Sequence, residues 1–140
     1  MKKITKDLLD ELKAASDINS YSKCNADAFK TLTEHLDELL AARNIQKSEA
    51  IEKSCLGKYA YEIFNGTKKN YSRDKIICLC LGLSLTLTET QQVLRFAKQG
   101  ELYPRNKRDA AIIFCIGKGN DVMETDHQLL NFGEKPLLTN

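Results

Sequence analysis

The chain has no tryptophan, two prolines and two histidines among its 140 residues. No apolar run approaches the ~20 residues of a membrane-spanning helix, and the lysines at the N-terminus are followed by acidic residues rather than the apolar centre of a signal peptide. We therefore expect a soluble, cytoplasmic protein. His35 and His127 lie far apart with no neighbouring base–nucleophile pair, so we expect no enzyme activity.

The cysteine pattern argues against disulfide and metal sites, whereas the net charge leaves nucleic-acid binding open. The five cysteines are odd in number and show no Cys-x-x-Cys spacing, so we expect neither a disulfide framework nor a metal site, and no motif indicates a cofactor. A net charge of +2 neither requires nor excludes nucleic acid. Acidic residues concentrate in the first forty positions, and basic residues between Lys47 and Lys75. That basic segment is typical of either a nucleic-acid surface or a solvated helix face.

Helical periodicity dominates the chain, and strand signals are weak, so the sequence predicts an all-α fold. Helices are predicted over residues 6–15 and 26–43, the second ending at Asn44. We divide the chain into an N-terminal helix and linker (1–25), a helix-turn-helix core (26–100) and a C-terminal helical hairpin packed on that core (101–140). His35, which has acidic neighbours, is expected on a solvated face.

The segment from Ser48 to Gly66 has the outline of a helix-turn-helix. Short helices are predicted over Lys47–Ser54 and Lys58–Asn65, joined by a tight turn around Leu56–Gly57. Ser48 is expected to cap the first helix. Gly66 follows the second helix, where a left-handed backbone costs least.

The C-terminal half repeats itself with an offset of 35 residues. Arg73-Asp74 recurs as Arg108-Asp109, and the capping box Thr86-x-x-Glu89 recurs as Asp121-x-x-Glu124. This period is typical of a helical hairpin repeat. The predicted helix pairs are Ser72–Gln99 and Asn106–Asn131, with Ser72 and Asn106 as the caps. For Arg108-Asp109 we expect a structural role, with the arginine bridging to the neighbouring hairpin.

Several strings carry a family resemblance over about residues 7–137. They are Tyr59-x-Tyr61-x-Ile63-Phe64-x-Gly66, Ser72-Arg73-Asp74-Lys75, Glu89-Thr90-Gln91, Leu102-Tyr103-Pro104 and Arg108-Asp109-Ala110. The chain resembles small bacterial helix-turn-helix proteins, mostly from Gram-positive anaerobes, within the lambda-repressor-like (Xre) class. The resemblance implies a five-helix DNA-binding core and a role in transcription regulation. The chain departs from the class at the turn of the motif, where Cys55 replaces the usual glycine or alanine.

If the motif binds DNA, its second helix (58–65) is the recognition helix. Lys58, Tyr59 and Glu62 are then expected to contact base edges, while Tyr61 is expected to pack half-buried. The expected phosphate contacts, which set affinity and register, are Lys47, Ser48, Lys68, Lys69, Ser72 and Arg73.

The sequence thus supports two hypotheses of different kinds. The first is a sequence-specific transcriptional regulator that binds double-stranded DNA, as a homodimer because one such motif reads only a half-site. The second is a protein-interaction module, in which the helix-turn-helix is structural and the helical hairpins bind a protein partner. Neither hypothesis involves a membrane.

Overall fold

The computed structural model describes residues 5–19, 21, 30–68 and 70–138. The described residues form helices and no strands, which confirms the predicted all-α class. The chain divides into two compact units, residues 1–31 and 32–140. Cys24, Lys69 and part of the predicted helix 26–43 lie outside the described residues. The predicted domain divisions at residues 25 and 100 stay predictions.

The described helix of the first unit is α1 (Thr5–Ala14). None of its residues is buried, and Leu9 and Leu12 are each nearly half exposed. The helix therefore presents an apolar stripe that is only partly covered.

The second unit forms a helical bundle around one hydrophobic core. In chain order its described helices are α2 (Leu32–Arg43), α3 (Lys47–Ser54), α4 (Lys58–Phe64), α5 (Arg73–Gly82), α6 (Leu87–Phe96), α7 (Lys107–Gly117) and α8 (Val122–Asn131). The bounds predicted for the helix-turn-helix are confirmed to within one residue. The predicted stop at Asn44 is also confirmed, by a φ of 53°.

The start predicted for the second helix is wrong. Lys30 and Thr31 are not helical, and α2 begins at Leu32 rather than at residue 26. The apolar spacing continues upstream of the boundary, but Thr31 is β-branched and favours helix formation less than most residues. Periodicity alone therefore placed the start of the helix too early.

Helix α5 forms the centre of the bundle. Every residue from Ile76 to Gly82 is buried, including Cys78 and Cys80, because α3, α6 and α8 all pack against this helix. An apolar helix that is covered on all sides has no solvent-facing stripe. The two cysteines accordingly occupy core positions, as small apolar residues do.

The closest approach in the bundle joins α3 to α5 at Gly82. A Cβ atom at Gly82 would lie 2.7 Å from the Ser54 nitrogen and 3.0 Å from the Ala50 carbonyl oxygen. Ala50 and Ser54 are both fully buried at this crossing. The two backbones can therefore meet only because all three residues are small.

Both predicted capping boxes are formed. The Thr86 hydroxyl accepts a bond from the Glu89 nitrogen at 3.2 Å, and the Glu89 carboxylate accepts one from the Thr86 nitrogen at 2.9 Å. Asp121 and Glu124 make the same two bonds at 2.8 and 2.9 Å. Helices α6 and α8 thus begin where the local sequence predicts.

The loops that follow α6 and α8 are anchored by matching contacts. The Gln91 side chain accepts a bond from the Leu102 nitrogen at 2.7 Å, and the Asp126 carboxylate accepts one from the Leu137 nitrogen at 2.6 Å. Each contact holds a buried leucine against the core. The corresponding residues lie 35 positions apart, as do the two capping boxes.

Arg73 links the first turns of α5 and α7. Its guanidinium donates to both carboxylate oxygens of Asp109, at 3.0 and 2.8 Å. It also donates to the carbonyl oxygens of Gly100 and Glu101, at 2.9 and 3.0 Å. Asp109 is buried and accepts a further bond from the Tyr103 nitrogen.

Arg108 makes the reciprocal connection. It donates to both carboxylate oxygens of Asp74, at 2.8 and 3.0 Å, and to the carbonyl oxygens of Lys135 and Pro136. The structural role predicted for Arg108, a bridge to the neighbouring hairpin, is confirmed. Bidentate arginine–carboxylate pairs are the stronger kind of ion pair, so the two pairs together fix α7 against α5.

Helix α2 packs on α6 through His35 and Arg43. The His35 ring is buried and stacks on Phe96 with 4.3 Å between ring centroids, so the predicted solvated position of His35 is wrong. Arg43, in the last turn of α2, pairs with the capping carboxylate of Glu89. The acidic neighbours of His35 lie on the outer side of the helix, whereas His35 lies on its buried side.

The cysteines should differ sharply in reactivity. Burial raises the pKa of the Cys78 thiol to about 12, and Cys80 and Cys115 are also buried, whereas Cys55 is exposed. In a Cys24→Ser background we expect Cys55 alone to react readily with a thiol reagent such as DTNB near pH 8, because it is the exposed one of the four; desolvation raises the pKa of its thiol as well, so the difference comes from access to the reagent. A second fast thiol before unfolding would contradict the buried positions of Cys78 and Cys80 in α5 or of Cys115 in α7.

Candidate nucleic-acid interface

The turn between α3 and α4 is held by two residues with positive φ. Cys55 has φ 62° and ψ 18°, the left-handed conformation that glycine adopts most easily. Gly57 has φ 57° and ψ −126°, which is essentially restricted to glycine. The Ser54 hydroxyl accepts a bond from the Leu56 nitrogen at 3.3 Å. Together these residues reverse the chain in three positions and set the direction of α4.

Helix α4 buries one face and exposes the other. Ala60, Ile63 and Phe64 are buried in the core, and the Thr33 hydroxyl of α2 donates to the Ile63 carbonyl oxygen at 3.1 Å. The opposite side carries residues at helical spacing that solvent reaches. We call this side the outer face of α4; it consists of Lys58, Tyr61, Glu62 and Asn65.

The outer face combines charge with an aromatic ring. The Lys58 side chain is 88% exposed, and its ammonium lies 3.8 Å from a carboxylate oxygen of Glu62. Tyr61 is 56% exposed, so the half-buried position predicted for it is wrong. Such an exposed ion pair contributes little to stability, and both groups can therefore exchange partners at small cost.

Tyr59 does not belong to the outer face of α4. It is half-buried, and its hydroxyl accepts a bond from the Ser72 nitrogen at 2.8 Å. The ammonium groups of Lys68 and Lys75 lie 4.5 and 4.3 Å from the centre of its ring, close enough for cation–π attraction. Tyr59 thus ties α4 to the segment that leads into α5, while Tyr61 extends from the outer face.

The first turn of α3 lies near the end of α4. Lys47 and Ser48 are exposed there, and the Lys47 ammonium lies 5.8 Å from the ring centre of Phe64. The cap predicted for this helix is wrong: Gln46 occupies the N-cap position without a side-chain bond, and Ser48 lies inside the helix. Serine is a preferred cap residue, but a helix that begins at Lys47 has its N-cap at Gln46 and places Ser48 inside the helix.

The remaining predicted phosphate contacts differ in their surroundings. Lys68 follows α4, and its nitrogen donates to the Glu62 carbonyl oxygen at 3.2 Å. Ser72 is exposed at the N-cap position of α5, and its side chain makes no cap bond. Arg73 uses most of its donors on Asp109 and on two carbonyl oxygens. Lys69 lies outside the described residues.

Sequence reasoning missed Tyr61 and Asn65 as members of the outer face. Counting three and seven positions from Lys58 would have identified both, because these spacings share one side of a helix. The Asn65 side-chain oxygen accepts bonds from the nitrogen and the hydroxyl of Thr67, at 3.0 and 2.7 Å. These bonds hold the end of α4 and the start of the following loop together.

The part of the chain that the structure describes shows neither a metal site nor a membrane span. It contains no group of three or more His, Cys, Asp or Glu residues that could hold a metal ion, and none of its helices has the length and apolar content of a membrane span. Comparison with protein-family models, curated proteins and solved structures finds no match for this chain.

Proposed function

We propose that this chain is a bacterial, cytoplasmic transcriptional regulator that binds DNA sequence-specifically through a lambda-repressor-like (Xre) helix-turn-helix. The recognition helix is α4, and α7 with α8 form a helical hairpin appended to the core. The observation that supports this most is the outer face of α4. It presents an exposed lysine and tyrosine and a partly exposed carboxylate on a helix that is flanked in sequence by the exposed first turn of α3 and by the basic loop after α4.

Each residue of this surface has a chemical role in the proposal. Lys58 donates to guanine O6 and N7, Glu62 accepts from the cytosine amine, and Tyr61 donates to an acceptor or packs on a thymine methyl. Tyr59, assigned to the bases from sequence, now serves to position α4, because its hydroxyl and ring are engaged within the chain.

The phosphate contacts in the proposal are Lys47, Ser48, Lys68 and Ser72, with Lys69 in the same loop by sequence. They border the outer face on two sides and carry register and affinity rather than sequence preference. We leave Arg73 out of this set because its ion pair with Asp109 occupies the guanidinium. Two copies of the chain read the two half-sites of an operator.

Two substitutions separate base contacts from phosphate contacts. After selection of a preferred duplex from a random library, we expect Tyr61→Ala to lower the affinity for that duplex by about 5–100-fold, and that for random DNA much less. We expect Lys68→Ala to weaken both equally and to reduce the salt slope by about one for each copy bound. Fluorescence anisotropy on labelled duplexes measures both quantities.

Tyr103→Ala provides the matched control. Tyr103 is 57% exposed, nearly the same fraction as Tyr61, but lies in the loop before α7. Its removal should leave affinity and preference unchanged. Equal effects of Tyr61→Ala and Tyr103→Ala would contradict the assignment of α4 as the recognition helix.

The protein-interaction module is a second candidate function, and one observation favours it. The surface between α7 and α8 carries an open apolar groove with exposed phenylalanines at its rim. A partner that binds there would use the hairpin and leave the helix-turn-helix as a scaffold. Binding to the groove and binding to DNA use different surfaces, so the two functions can be tested separately.

A further inference from the structure

The groove between α7 and α8 encloses about 460 Å³. Ala110 and Ala111 of α7 line it with small side chains, and α8 contributes Gln128 and Asn131. Phe114 and Phe132 stand at its rim and are each about half exposed. A concave apolar surface with aromatic edges is the form that receives the apolar face of a helix.

The α7 side of the groove is basic. Lys107 and the C-cap residue Lys118 continue the stripe of α7 that carries Ala111 and Phe114, at spacings of four, three and four residues. The Lys107 ammonium lies 4.8 Å from the ring centre of Phe132, and the Lys118 ammonium lies 5.4 Å from that of Phe114. The groove therefore carries a positive charge near each end, which favours an occupant with acidic residues along one flank.

Helix α1 has the complementary pattern. Leu8, Leu9 and Leu12 form an apolar stripe, and none of the residues in this helix is buried. On helical spacing, Asp7 and Glu11 lie to one side of the stripe and the lysines to the other, while Asp10 lies opposite the stripe. The acidic residues are Asp7, Asp10 and Glu11, and the lysines are Lys6 and Lys13.

We propose that the groove between α7 and α8 receives helix α1 of a second copy of this chain. The leucine stripe lies on Ala110 and Ala111, and the acidic flank faces Lys107 and Lys118. The ten residues of α1 and the distance from Lys107 to Lys118 both correspond to about 15 Å of helix. Reciprocal exchange of the two α1 helices gives a closed dimer, and this proposal does not depend on DNA binding.

The expected association is modest in strength. One short helix in one groove buries less surface than a standard interface, and two such contacts in a reciprocal dimer act together. We expect a dissociation constant of about 1–100 µM. Sedimentation velocity of the full chain over this concentration range should therefore show a monomer–dimer equilibrium.

The test combines disruption on each side with a rescue. We expect Leu9→Glu/Leu12→Glu on α1, and separately Phe114→Glu in the groove, to raise the dissociation constant more than about tenfold. Lys107→Glu/Lys118→Glu should weaken association, and the further changes Asp7→Lys/Glu11→Lys in the same chain should restore it. Met123→Glu is the control, since Met123 is 63% exposed on α8 but does not line the groove.

Restored association in the charge-exchanged chain would support the specific pairing of α1 with the groove, because nonspecific apolar contact has no such sign dependence. Three results would each overturn the proposal: a chain that stays monomeric throughout, association that is insensitive to the α1 substitutions, or charge reversal without rescue. Circular dichroism of every variant shows whether its helices are retained, and the charge-exchange pair leaves all apolar residues unchanged.

Discussion

Gly82→Ala is expected to lower the free energy of unfolding by about 3 kcal/mol or more. The added Cβ would lie 2.7 Å from the Ser54 nitrogen and 2.9 Å from its Cα atom, and both are backbone atoms of α3. Side-chain rotation cannot relieve such contacts. Helix α3 must move away from α5, and the core between them must open.

The chain contains its own control for this prediction. Gly117 lies 35 residues later, near the end of α7, and a Cβ there would meet nothing within 4 Å. Gly117→Ala should be neutral or stabilise the chain by up to about 1 kcal/mol, because alanine favours the helix. Urea unfolding followed by circular dichroism measures both variants. Equal stability of the two would contradict the tight crossing of α3 and α5.

Displacement of α3 should also be visible at the surface that we propose binds DNA. Ser54 borders the turn that sets the direction of α4, so a shift at the crossing changes the outer face of α4 as well. We therefore expect Gly82→Ala to weaken DNA binding even where the protein stays folded, whereas Gly117→Ala should not.

Asp109→Ala is expected to cost about 3–5 kcal/mol of stability. The substitution leaves the Arg73 guanidinium partly buried without its carboxylate partner, and it leaves the Tyr103 nitrogen without an acceptor. Asp74→Ala removes the reciprocal pair with Arg108 and should cost less, because Asp74 is less buried than Asp109, which also accepts the bond from the Tyr103 nitrogen. Denaturant unfolding of the two variants tests the difference.

The same carboxylate predicts a pH dependence. Burial alone would raise the pKa of Asp109, but hydrogen bonds from Arg73 and the Tyr103 nitrogen outweigh it and hold the pKa below its ordinary value of 3.8. The folded chain therefore takes up this proton at lower pH than the unfolded chain. The stabilisation is present above pH 3.8 and is lost as the pH falls through the folded pKa.

Comparison of wild type with Asp109→Asn isolates this contribution. Wild type should lose more stability than the variant between about pH 5 and pH 2, and the two curves should converge at the acidic end. Parallel curves over this range would show that the carboxylate has the same pKa in both states, which would contradict the ion pair with Arg73.

Local signals in the sequence predicted the helix ends well. Asn44, Gly66 and the two capping boxes act within a few residues of themselves, so their outcome depends little on the rest of the fold. The recurrence of the Arg-Asp pair likewise predicted a bridge from Arg108 to the neighbouring hairpin. The two Arg-Asp pairs exchange partners, so that Arg73 binds Asp109 and Arg108 binds Asp74. This exchange depends on how α5 and α7 pack against each other, and it was not predicted.

The errors concern residues whose position depends on packing between helices. Tyr59 and Tyr61 are two positions apart on α4, and composition cannot say which one faces the core. Because Ile63 and Phe64 are buried, the side of α4 that carries Tyr61 faces solvent. His35 was expected on a solvated face because its sequence neighbours are acidic. The ring that covers it, Phe96, belongs to a helix some sixty residues later, which the local sequence does not reveal.

The central claim is that the outer face of α4 binds DNA, and its most direct test is the salt dependence of binding by the unmodified chain. Fluorescence anisotropy with random and genomic upstream duplexes at ~50 and ~200 mM salt measures it. With Lys47, Lys68 and Lys69 from each of two copies engaged on phosphates, we predict an affinity loss on the order of 10³-fold between these concentrations. Absence of binding even at the lower salt concentration would contradict the claim and leave the helix-turn-helix as a scaffold.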